Sequence, residues 1–559
     1  MRAGDVDLLE APETVEVETG PRPTAAQAEV LVQVAAALDS RTYAPFVLFG
    51  ATGSGKTEVY LRAAEAALAA GRSVLYLVPE IGLTPLLVKR LAARFPGHLS
   101  VLHSGLAAGE RRAAWERVRS GACRFAVGTR SAVFAPLRDL GLVVVDEEHD
   151  SSYKQGESPR YHGRDLAVVR AREAGAVVLL GSATPSLESF AHARSGRYGL
   201  LRLGGRLGAR ALATVEVVDM RREFLQTGAA RPLSRALVTA LQECLGRGEQ
   251  ALVLRNRRGW AASLLCPACG TRVTCPRCSL ALTWHQAEAR LRCHLCDLAR
   301  PHPGECPSCR FEELQPLGEG AERIEHELRA VLPGARLARM DRDTVRRRGA
   351  QEDLLRRFSA GELDLLVGTQ MIAKGHDFPR VTLVGVVSSD QSLGLPDFRA
   401  GERTFQLLTQ VAGRAGRGDL PGRVVVQAFD PEHPVLREAA RQDYEAFFVR
   451  EMAYRRALRY PPLSALVQVL VSDKDPVQAD VYAEEVGRAL RAEGKGRLLV
   501  SGPGPAPVER ARTLWRRQLF VRSTGRRRLV AAVAAALTAT EGRVPPRALT
   551  VDVDPQSLL

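Results

Sequence analysis

The stretch FVLFGATGSGKTEVYLRAAEAALAA, residues 46–70, decides the fold. It opens with a β-rich apolar run, turns through glycines and continues as a helical pattern. Its centre, GATGSGKT (50–57), fits the phosphate-loop pattern G-x-x-x-x-G-K-[ST] in the strand–loop–helix setting that gives the pattern meaning. Gly50, Gly53 and Gly55 let the backbone curl so that its N–H groups, with that of Ser54, point at phosphate oxygens. The helix start adds partial positive charge. Lys56 is placed to reach the β- and γ-phosphates of ATP, and Thr57 to ligate Mg²⁺.

Around this stretch runs a series of buried-strand patterns: SVLYLVP (73–79), FAVGT (125–129), LVVVDE (142–147) and VVLLGSAT (177–184). Continuous apolar strands separated by helical segments predict a parallel sheet covered on both faces. LVVVDEEH (142–149) ends in carboxylates where an open α/β sheet places its ligands. Asp146 is expected to hold Mg²⁺ and Glu147 to orient or deprotonate the attacking water. His149 is read as a link from the nucleotide to a second site, or as packing. A second series, ALVLRN (251–256), LDLLVGTQ (363–370), VTLVGVV (381–387) and RVVVQAF (423–429), predicts a second α/β lobe. QVAGRAGR (410–417) follows its third run. There Arg414 and Arg417, three residues apart, are expected on one helical face, supplying charge to the γ-phosphate.

Composition agrees with a globular protein that meets polyanions. The chain has 559 residues, 45% hydrophobic and 25% charged, with a formal net charge of +15. Lys and Arg in excess suit phosphate binding, although an Arg-rich composition alone does not prove it. The start, with Asp5, Asp7, Glu10, Glu13, Glu16 and Glu18 against Arg2, is the reverse of a signal peptide. No apolar run approaches the ~20 residues of a membrane span. A cytoplasmic location is the expectation.

Ten cysteines are present, and eight form C-x-x-C pairs: Cys266/Cys269, Cys275/Cys278, Cys293/Cys296 and Cys306/Cys309. This spacing lets two thiolates meet one tetrahedral Zn²⁺ at about 2.3 Å, so four pairs predict two closed Cys₄ sites. Disulfides are disfavoured in a cytoplasmic nucleotide hydrolase. Spacing does not fix which pairs share an ion. Apolar residues are few here, so metal is expected to stand in for a core. Cys123 and Cys244 are read as buried thiols.

The ordered set GATGSGKTEVY (50–60), VPEIGLTP (78–85), GTRSAVFAP (128–136), DEEHDSSYKQ (146–155), RYHGRDLAV (160–168), GSATPSLES (181–189), NRRGW (256–260), GTQMIAKGHDFP (368–379) and QVAGRAGRG (410–418) resembles superfamily 2 helicases. At finer grain it resembles the PriA replication-restart helicases, from about residue 24 to DVDP (552–555). The resemblance implies ATP-dependent 3′→5′ DNA unwinding at stalled or branched forks, leading to primosome assembly and replicative-helicase loading. It implies ATP, Mg²⁺ and two Zn²⁺ as cofactors. Forked and single-stranded DNA, single-stranded DNA-binding protein, primosome proteins and the replicative helicase or its loader are the implied partners.

The resemblance favours nested zinc sites: Cys266, Cys269, Cys306 and Cys309 on one ion, and Cys275, Cys278, Cys293 and Cys296 on the other. It assigns Gln27, with Thr24, to the adenine edge. The stretch Tyr153–Arg164 becomes a DNA-sensing loop, with Tyr153 and Tyr161 as stacking faces and Lys154, Arg160 and Arg164 near phosphates. Thr129 and Arg130, with Thr369 and Gln370, would grip the DNA backbone. Trp284 and His285 are candidate DNA contacts in the insertion. Arg510, Arg512, Trp515, Arg516, Arg517 and Gln518 are candidates in a C-terminal domain that meets branched DNA and an acidic partner tail. Family members carry a further N-terminal DNA-binding region; here a short acidic segment precedes Thr24, which reads either as a shortened natural form or as a start codon taken too late.

The expected architecture is α/β: two RecA-like parallel-sheet lobes, a double-zinc insertion in the second, and a C-terminal α+β domain. Its expected bounds are a tail at 1–20, lobe one at 21–200, lobe two at 201–265 plus 310–440, the insertion at 266–309 and the C-terminal domain at 441–559. Two other readings fit parts of the pattern: a scaffold that recruits restart proteins without hydrolysing ATP, and another superfamily 2 fork translocase.

Overall fold

The computed structural model describes residues 20–79, 84–205, 212–228, 231–255, 263–285, 289–312, 314–316, 321–341, 344–345, 349–369, 372, 378–416 and 420–558. The chain divides into two compact units, Met1–Ala211 and Leu212–Leu559. Among the described residues no helix is long and apolar enough to cross a membrane.

The first unit is built on seven strands: β1 (Ala44–Gly50), β2 (Ser73–Leu77), β3 (Leu99–Leu102), β4 (Phe125–Gly128), β5 (Leu140–Asp146), β6 (Val177–Ser182) and β7 (Gly199–Leu203). Their order is β3-β4-β2-β5-β6-β1-β7, and every pairing is parallel. Helices α1 (Ala25–Ser40) and α2 (Lys56–Ala69) pack one face through Val30, Val34, Val59, Leu61 and Ala64, against Leu48, Val74 and Val144. The helix Gly163–Glu173 covers the other face, where Ala167 and Ala171 meet Val143, Val145 and Val178. Both faces are therefore dry, which is why the strands read as unbroken apolar runs rather than alternating ones. The expected boundary between residues 200 and 201 falls inside β7, which pairs with β1.

The second unit holds β8 (Thr214–Asp219) and β9 (Gln250–Arg255), then five short strands, β10 (Leu264–Leu265), β11 (Thr283–His285), β12 (Arg290–Arg292), β13 (Ala299–Pro301) and β14 (Gln315–Pro316). It resumes with β15 (Leu337–Met340), β16 (Leu365–Gly368), β17 (Val381–Val387) and β18 (Arg423–Ala428). A six-stranded parallel sheet runs β15-β16-β9-β17-β18-β8. The cysteine-rich segment leaves this sheet after β9, makes its own antiparallel ladder β11-β12-β13, and closes through the β10–β14 pair. Finally β19 (Ala465–Asp473), β20 (Leu499–Ala511), β21 (Leu514–Ser523) and β22 (Leu549–Val553) form an antiparallel sheet ordered β20-β21-β19-β22. The helices Pro476–Gly494 and Arg526–Ala539 pack on it through Val486, Leu490, Leu529 and Val533. Two RecA-like parallel lobes, a cysteine-rich insertion and a C-terminal α+β domain are thus all present.

The insertion does not rest on its cysteine sites alone, as local composition suggests: it also shares a core with distant parts of the chain. Leu264, Leu280, Leu282, Leu291 and Leu295 are buried in one cluster with Phe398 and Tyr460, from turns flanking helices, with Leu466 and Phe520 from the C-terminal sheet, and with Leu558 at the chain end. Burying so many leucine and aromatic side chains supplies ~1.5–3 kcal/mol each, so the insertion is docked rather than tethered. Polar contacts fix its orientation. Arg272 pairs with buried Asp390 at 2.5 Å. Gln518 donates to the carbonyl of His294 at 2.8 Å. A Cβ on Gly270, whose φ is +76°, would meet the Phe429 carbonyl oxygen at 2.1 Å, so only glycine permits that approach.

Candidate nucleotide site and cysteine metal centres

The phosphate loop is shaped by three glycines with different duties. Gly53 and Gly55 both sit at φ +84°, in the left-handed region. Gly50 is excluded from bearing a side chain by crowding: a Cβ there would lie 2.7 Å from Ser54 Oγ and 2.9 Å from Leu203 Cβ. Gly55 starts α2 with no side-chain cap, so the first N–H groups of that helix have no protein side chain to accept from them. Buried Lys56 donates from Nζ to the carbonyls of Gly50 at 2.8 Å and Ala51 at 3.2 Å, curling back over its own loop. Ser54 Oγ is buried without a hydrogen-bond partner among the described residues. Thr57 is half-buried in the first turn of α2. A glycine-turned loop, a helix start without a side-chain cap and a lysine folded over them fit a phosphate chain.

Asp146 ends β5 beside this loop. Burial and the adjacent Glu147 carboxylate push its carboxyl up to about 7, against the opposing pull of Lys56 and of the Tyr60 hydroxyl. Tyr60 donates to Asp146 Oδ1 at 3.1 Å. That contact explains Gly181, because a Cβ there would lie 1.5 Å from the Tyr60 oxygen. Glu147 holds φ +43°, a strained conformation for a residue with a side chain, of the kind that collects at reaction centres. Its Oε2 is buried with no hydrogen-bond partner among the described residues, 3.6 Å from His149 Nδ1. Two adjacent carboxylates at the end of a buried strand fit a divalent cation, which Asp146 and Thr57 would hold.

The remaining residues of DEEH are structural links that sequence reasoning left open. Glu148 is fully buried and accepts from Arg164 at 2.9 Å, from the Ser186 N–H at 2.6 Å and from the Ser189 hydroxyl at 2.8 Å. His149 Nδ1 lies 2.7 Å from Ser182 Oγ, in the GSATP segment. The strand end that carries Asp146 is therefore pinned to the turn after β6.

Two residues expected to meet DNA do other work. Tyr153 is 0% exposed, and its hydroxyl donates to the Asp146 carbonyl at 2.7 Å and the Leu77 carbonyl at 3.1 Å. Arg164 is buried on Glu148 and Asp165. They are the two feet of the loop between them, whose residues 156–160 are exposed. Tyr161, Lys154 and Arg160 stay on the loop. Arg130 donates to the carbonyls of Ser152 and Lys154, both at 2.9 Å, so it braces the loop. Thr129 is buried beside it. Buried Gln27 spends its amide on structure: Oε1 accepts from the Thr24 N–H at 2.8 Å, capping α1, and Nε2 donates to the Gly55 carbonyl at 3.2 Å. It lies against the phosphate loop through that bond to Gly55. Another pair was missed altogether: Glu58 and Arg94 form a two-pronged buried ion pair, both contacts at 2.9 Å, fixing α2 from outside the loop.

In the second unit Arg414 lies past the end of the helix Ala400–Ala412, in a turn, rather than on a helical face. Gly416, at φ +66°, closes that turn where a Cβ would meet Gly422 N at 2.4 Å. Arg417 and Gln370 lie outside the described residues; Thr369, at the end of β16, lies within them. A further feature was not foreseen. Arg455, fully buried, donates to Glu451 at 3.0 Å, Glu402 at 3.1 Å and the Pro461 carbonyl at 2.8 Å, tying that helix to the one leading into the C-terminal domain.

The eight paired cysteines gather as two nested sets, Cys266, Cys269, Cys306 and Cys309, and Cys275, Cys278, Cys293 and Cys296. Within each, all four sulfurs lie within 4.8 Å of one another. Every C-x-x-C has one backbone form. The residue after its second cysteine, Gly270, Ser279, Asp297 or Arg310, takes a positive φ and donates its N–H to the carbonyl of the first cysteine. That turn aims both sulfurs of a pair to one side. Four thiolates at tetrahedral spacing, with no carboxylate or imidazole among them, fit Zn²⁺ in a closed site. Trp284 packs edge-on against His302 with ring centroids 4.9 Å apart, and His285 Nε2 lies 3.2 Å from His294 Nε2. Cys123 and Cys244 are buried. In the C-terminal hairpin Arg517 is held by Asp480 and Glu509, while Arg510 lies over the Trp515 ring at 5.3 Å.

Family comparisons agree region by region. A DEAD/DEAH box helicase model matches residues 24–192, and a helicase conserved C-terminal domain model matches 319–419. The PriA DNA helicase Cys-rich region model matches 275–301, and the primosomal protein N C-terminal domain model matches 456–556. The chain is 44% identical to replication restart protein PriA of Bacillus subtilis, over 92% of this chain and 64% of that one. It is 43% identical to the Chlamydia pneumoniae protein of the same name, over 84% and 63%. With the Haemophilus influenzae protein of that name it shares 40% identity over 92% of this chain and 70% of that one. It thus spans less than two thirds of the first two relatives' own length.

Proposed function

The chain belongs to the family of the replication restart protein PriA, and from that premise we propose that it is an ATP-driven 3′→5′ DNA helicase acting at stalled or branched replication forks. Its output is primosome assembly and loading of the replicative helicase. Single-stranded DNA-binding protein, primosome proteins and the replicative helicase or its loader are its partners, and the cytoplasm its location. The observation that carries the reading is the meeting of Lys56, Asp146 and Glu147 beside a glycine-turned loop and an uncapped helix start at the C-terminal edge of a parallel sheet.

In this reading Lys56 turns from its own loop carbonyls to the β- and γ-phosphates, and the loop N–H groups of Gly53, Ser54 and Gly55 hold the phosphate chain. Gln27 stays beside the loop and offers its remaining N–H to the base. Thr57 and Asp146 hold Mg²⁺. Bound Mg²⁺ and ATP supply the electrophilic phosphoryl group. Glu147, strained and with His149 Nδ1 3.6 Å from its Oε2, takes the proton of the attacking water. Arg414 and Arg417 stabilise the charge that builds on the transferring group. Thr129 and Thr369, with Gln370, hold the DNA backbone without reading sequence. The Cys₄ sites keep Zn²⁺ as structural ions.

Strand displacement tests the activity directly. Partial duplexes with a 3′ or a 5′ single-stranded tail, and forks with and without a leading-strand 3′ end, are offered with ATP. Displacement from the 3′-tailed substrate alone supports the reading. ATP turnover without displacement on any substrate reduces it to a translocase, and absence of turnover reduces it to a recruiting scaffold.

A further inference from the structure

We infer that Tyr60 is a positioning residue for the nucleotide-bound cation: its hydroxyl occupies one oxygen of Asp146 and so leaves the other for Mg²⁺. The inference rests on the ATP-hydrolysis reading and adds to it a residue outside both the phosphate loop and the carboxylate-bearing strand end. Asp146 Oδ1 accepts from the Tyr60 hydroxyl and from the Glu147 N–H, each at 3.1 Å. Among the described residues Oδ2 accepts from no donor. The two oxygens of a free carboxylate exchange places by rotation about the last side-chain bond. Here two donors tell them apart, and Oδ2 is the oxygen that a cation can take.

Three elements place that hydroxyl. Tyr60 lies on α2 three residues after Thr57, on the same side of the helix. The helix that offers Thr57 to the cation therefore also fixes the Asp146 carboxylate, and the two ligands keep their spacing. On the sheet, Gly181 of β6 is the register partner of Asp146 on β5. A Cβ there would lie 1.5 Å from the Tyr60 oxygen, so the strand beside the carboxylate is bare where the hydroxyl sits. Behind the ring, Tyr60 is 1% exposed and meets the Tyr76 ring edge-on at 5.8 Å, and Tyr76 stacks on Phe125 at 6.4 Å. A ring packed this closely is already ordered before any ligand arrives.

The chemistry of the donor suits the task. A lysine or arginine in this place would neutralise the carboxylate and repel a divalent cation. A phenol orients the carboxylate and leaves its charge for the metal. Carboxylates that ligate metals are commonly held this way by a hydrogen bond from behind. Two tyrosines divide the work on Asp146: Tyr153 donates to its backbone carbonyl at 2.7 Å, and Tyr60 to its side chain. The Tyr76 hydroxyl is buried as well, yet has no hydrogen-bond partner among the described residues. It supplies a comparison within the same aromatic stack, a hydroxyl that touches no ligand of the cation.

The test measures binding of a fluorescent, non-hydrolysable ATP analogue to the full chain, once with excess Mg²⁺ and once with EDTA. The ratio of the two affinities is the gain that the cation brings. Tyr60→Phe, which keeps the ring and removes the hydroxyl, is compared with Tyr76→Phe and with the unaltered chain, and melting confirms that each variant folds. A positioning role predicts a gain roughly 10-fold smaller in Tyr60→Phe, an unchanged affinity in EDTA, and no change of either value in Tyr76→Phe. An equal gain in Tyr60→Phe and the unaltered chain overturns the role of Tyr60 alone. So does an equal fall of the gain in both variants, or a loss for Tyr60→Phe as large in EDTA as in Mg²⁺, since either marks a loosened site rather than a misdirected carboxylate. If the unaltered chain binds the analogue in neither condition, the ATP-hydrolysis reading falls and the role of Tyr60 with it.

Discussion

Replacing Glu148 with Ala removes one acceptor from four donors at once: Arg164 Nη1, the Ser186 N–H, the Ser186 hydroxyl and the Ser189 hydroxyl. The hydroxyls can recover, since Ser186 and Ser189 already lie 3.0 Å apart. The Ser186 N–H cannot, and an unmet buried donor costs ~1–3 kcal/mol. Breaking a buried ion pair by removing one partner costs ~3–5 kcal/mol, and Arg164 keeps Asp165, so the lower part of that range applies. A loss of roughly 4 kcal/mol follows. For a unit of this size that lowers the melting temperature by about 8–16 °C. Glu148→Gln, which keeps the shape and one acceptor oxygen, costs about half as much. The double variant Glu148→Ala/Arg164→Met falls short of additivity by ~1–2 kcal/mol, because the stranded cation is gone. Differential scanning calorimetry of these three variants and of Arg164→Met reads all of this, and turnover assays report whether Asp146 and Glu147 keep their places. A shift under ~2 °C for Glu148→Ala refutes the reasoning.

Other consequences are equally concrete. Denatured protein is expected to release two Zn²⁺ per chain and Cys293→Ser one; an unchanged zinc content in that variant contradicts the nested sets. Chelation should unfold the second unit's insertion and loosen the C-terminal sheet with it, because Leu282 and Phe520 share one core; near-ultraviolet circular dichroism follows both. Gly270→Ala places a methyl 2.1 Å from the Phe429 oxygen at φ +76°, and a cost of ~2–4 kcal/mol is expected in urea titration. His162 tests pH. Burial pushes its imidazole down to about 4, so the folded state keeps it neutral. The unfolded chain takes up the proton near pH ~6.5, so this contribution to stability, up to ~3 kcal/mol, is present above that pH and lost as pH falls toward 4. His162→Phe should flatten that segment of the stability curve relative to the unaltered chain, and an unchanged slope counts against the assignment.

Much of this site was legible because its chemistry is local in sequence. A phosphate loop needs glycines and a lysine within eight residues, and a C-x-x-C turn brings its two sulfurs together without help from elsewhere. What stayed hidden depends on distant partners. Tyr153 and Arg164 stand in a polar loop and look like surface groups, yet each is drawn inward by an acceptor, the Asp146 carbonyl or the Glu148 carboxylate, that the sequence does not mark as such. The insertion looks poor in apolar residues because part of its core comes from Phe398, Tyr460, Leu466 and Phe520, far along the chain. Arg414 reads as helical from its spacing with Arg417, but Gly413 and Gly416 end the helix before it. Strand order was out of reach for the same reason: β1 lies between β6 and β7, a neighbourhood set by crossovers rather than by adjacency.

The central claim is that nucleotide hydrolysis here is tied to a nucleic-acid strand through Lys56 and the carboxylates beside it. Steady-state ATP turnover with and without single-stranded DNA, for the unaltered chain and for Lys56→Ala, tests it most directly. The account predicts turnover that rises on adding DNA, and its disappearance in Lys56→Ala while DNA affinity holds. Turnover indifferent to DNA, or undiminished in Lys56→Ala, contradicts it.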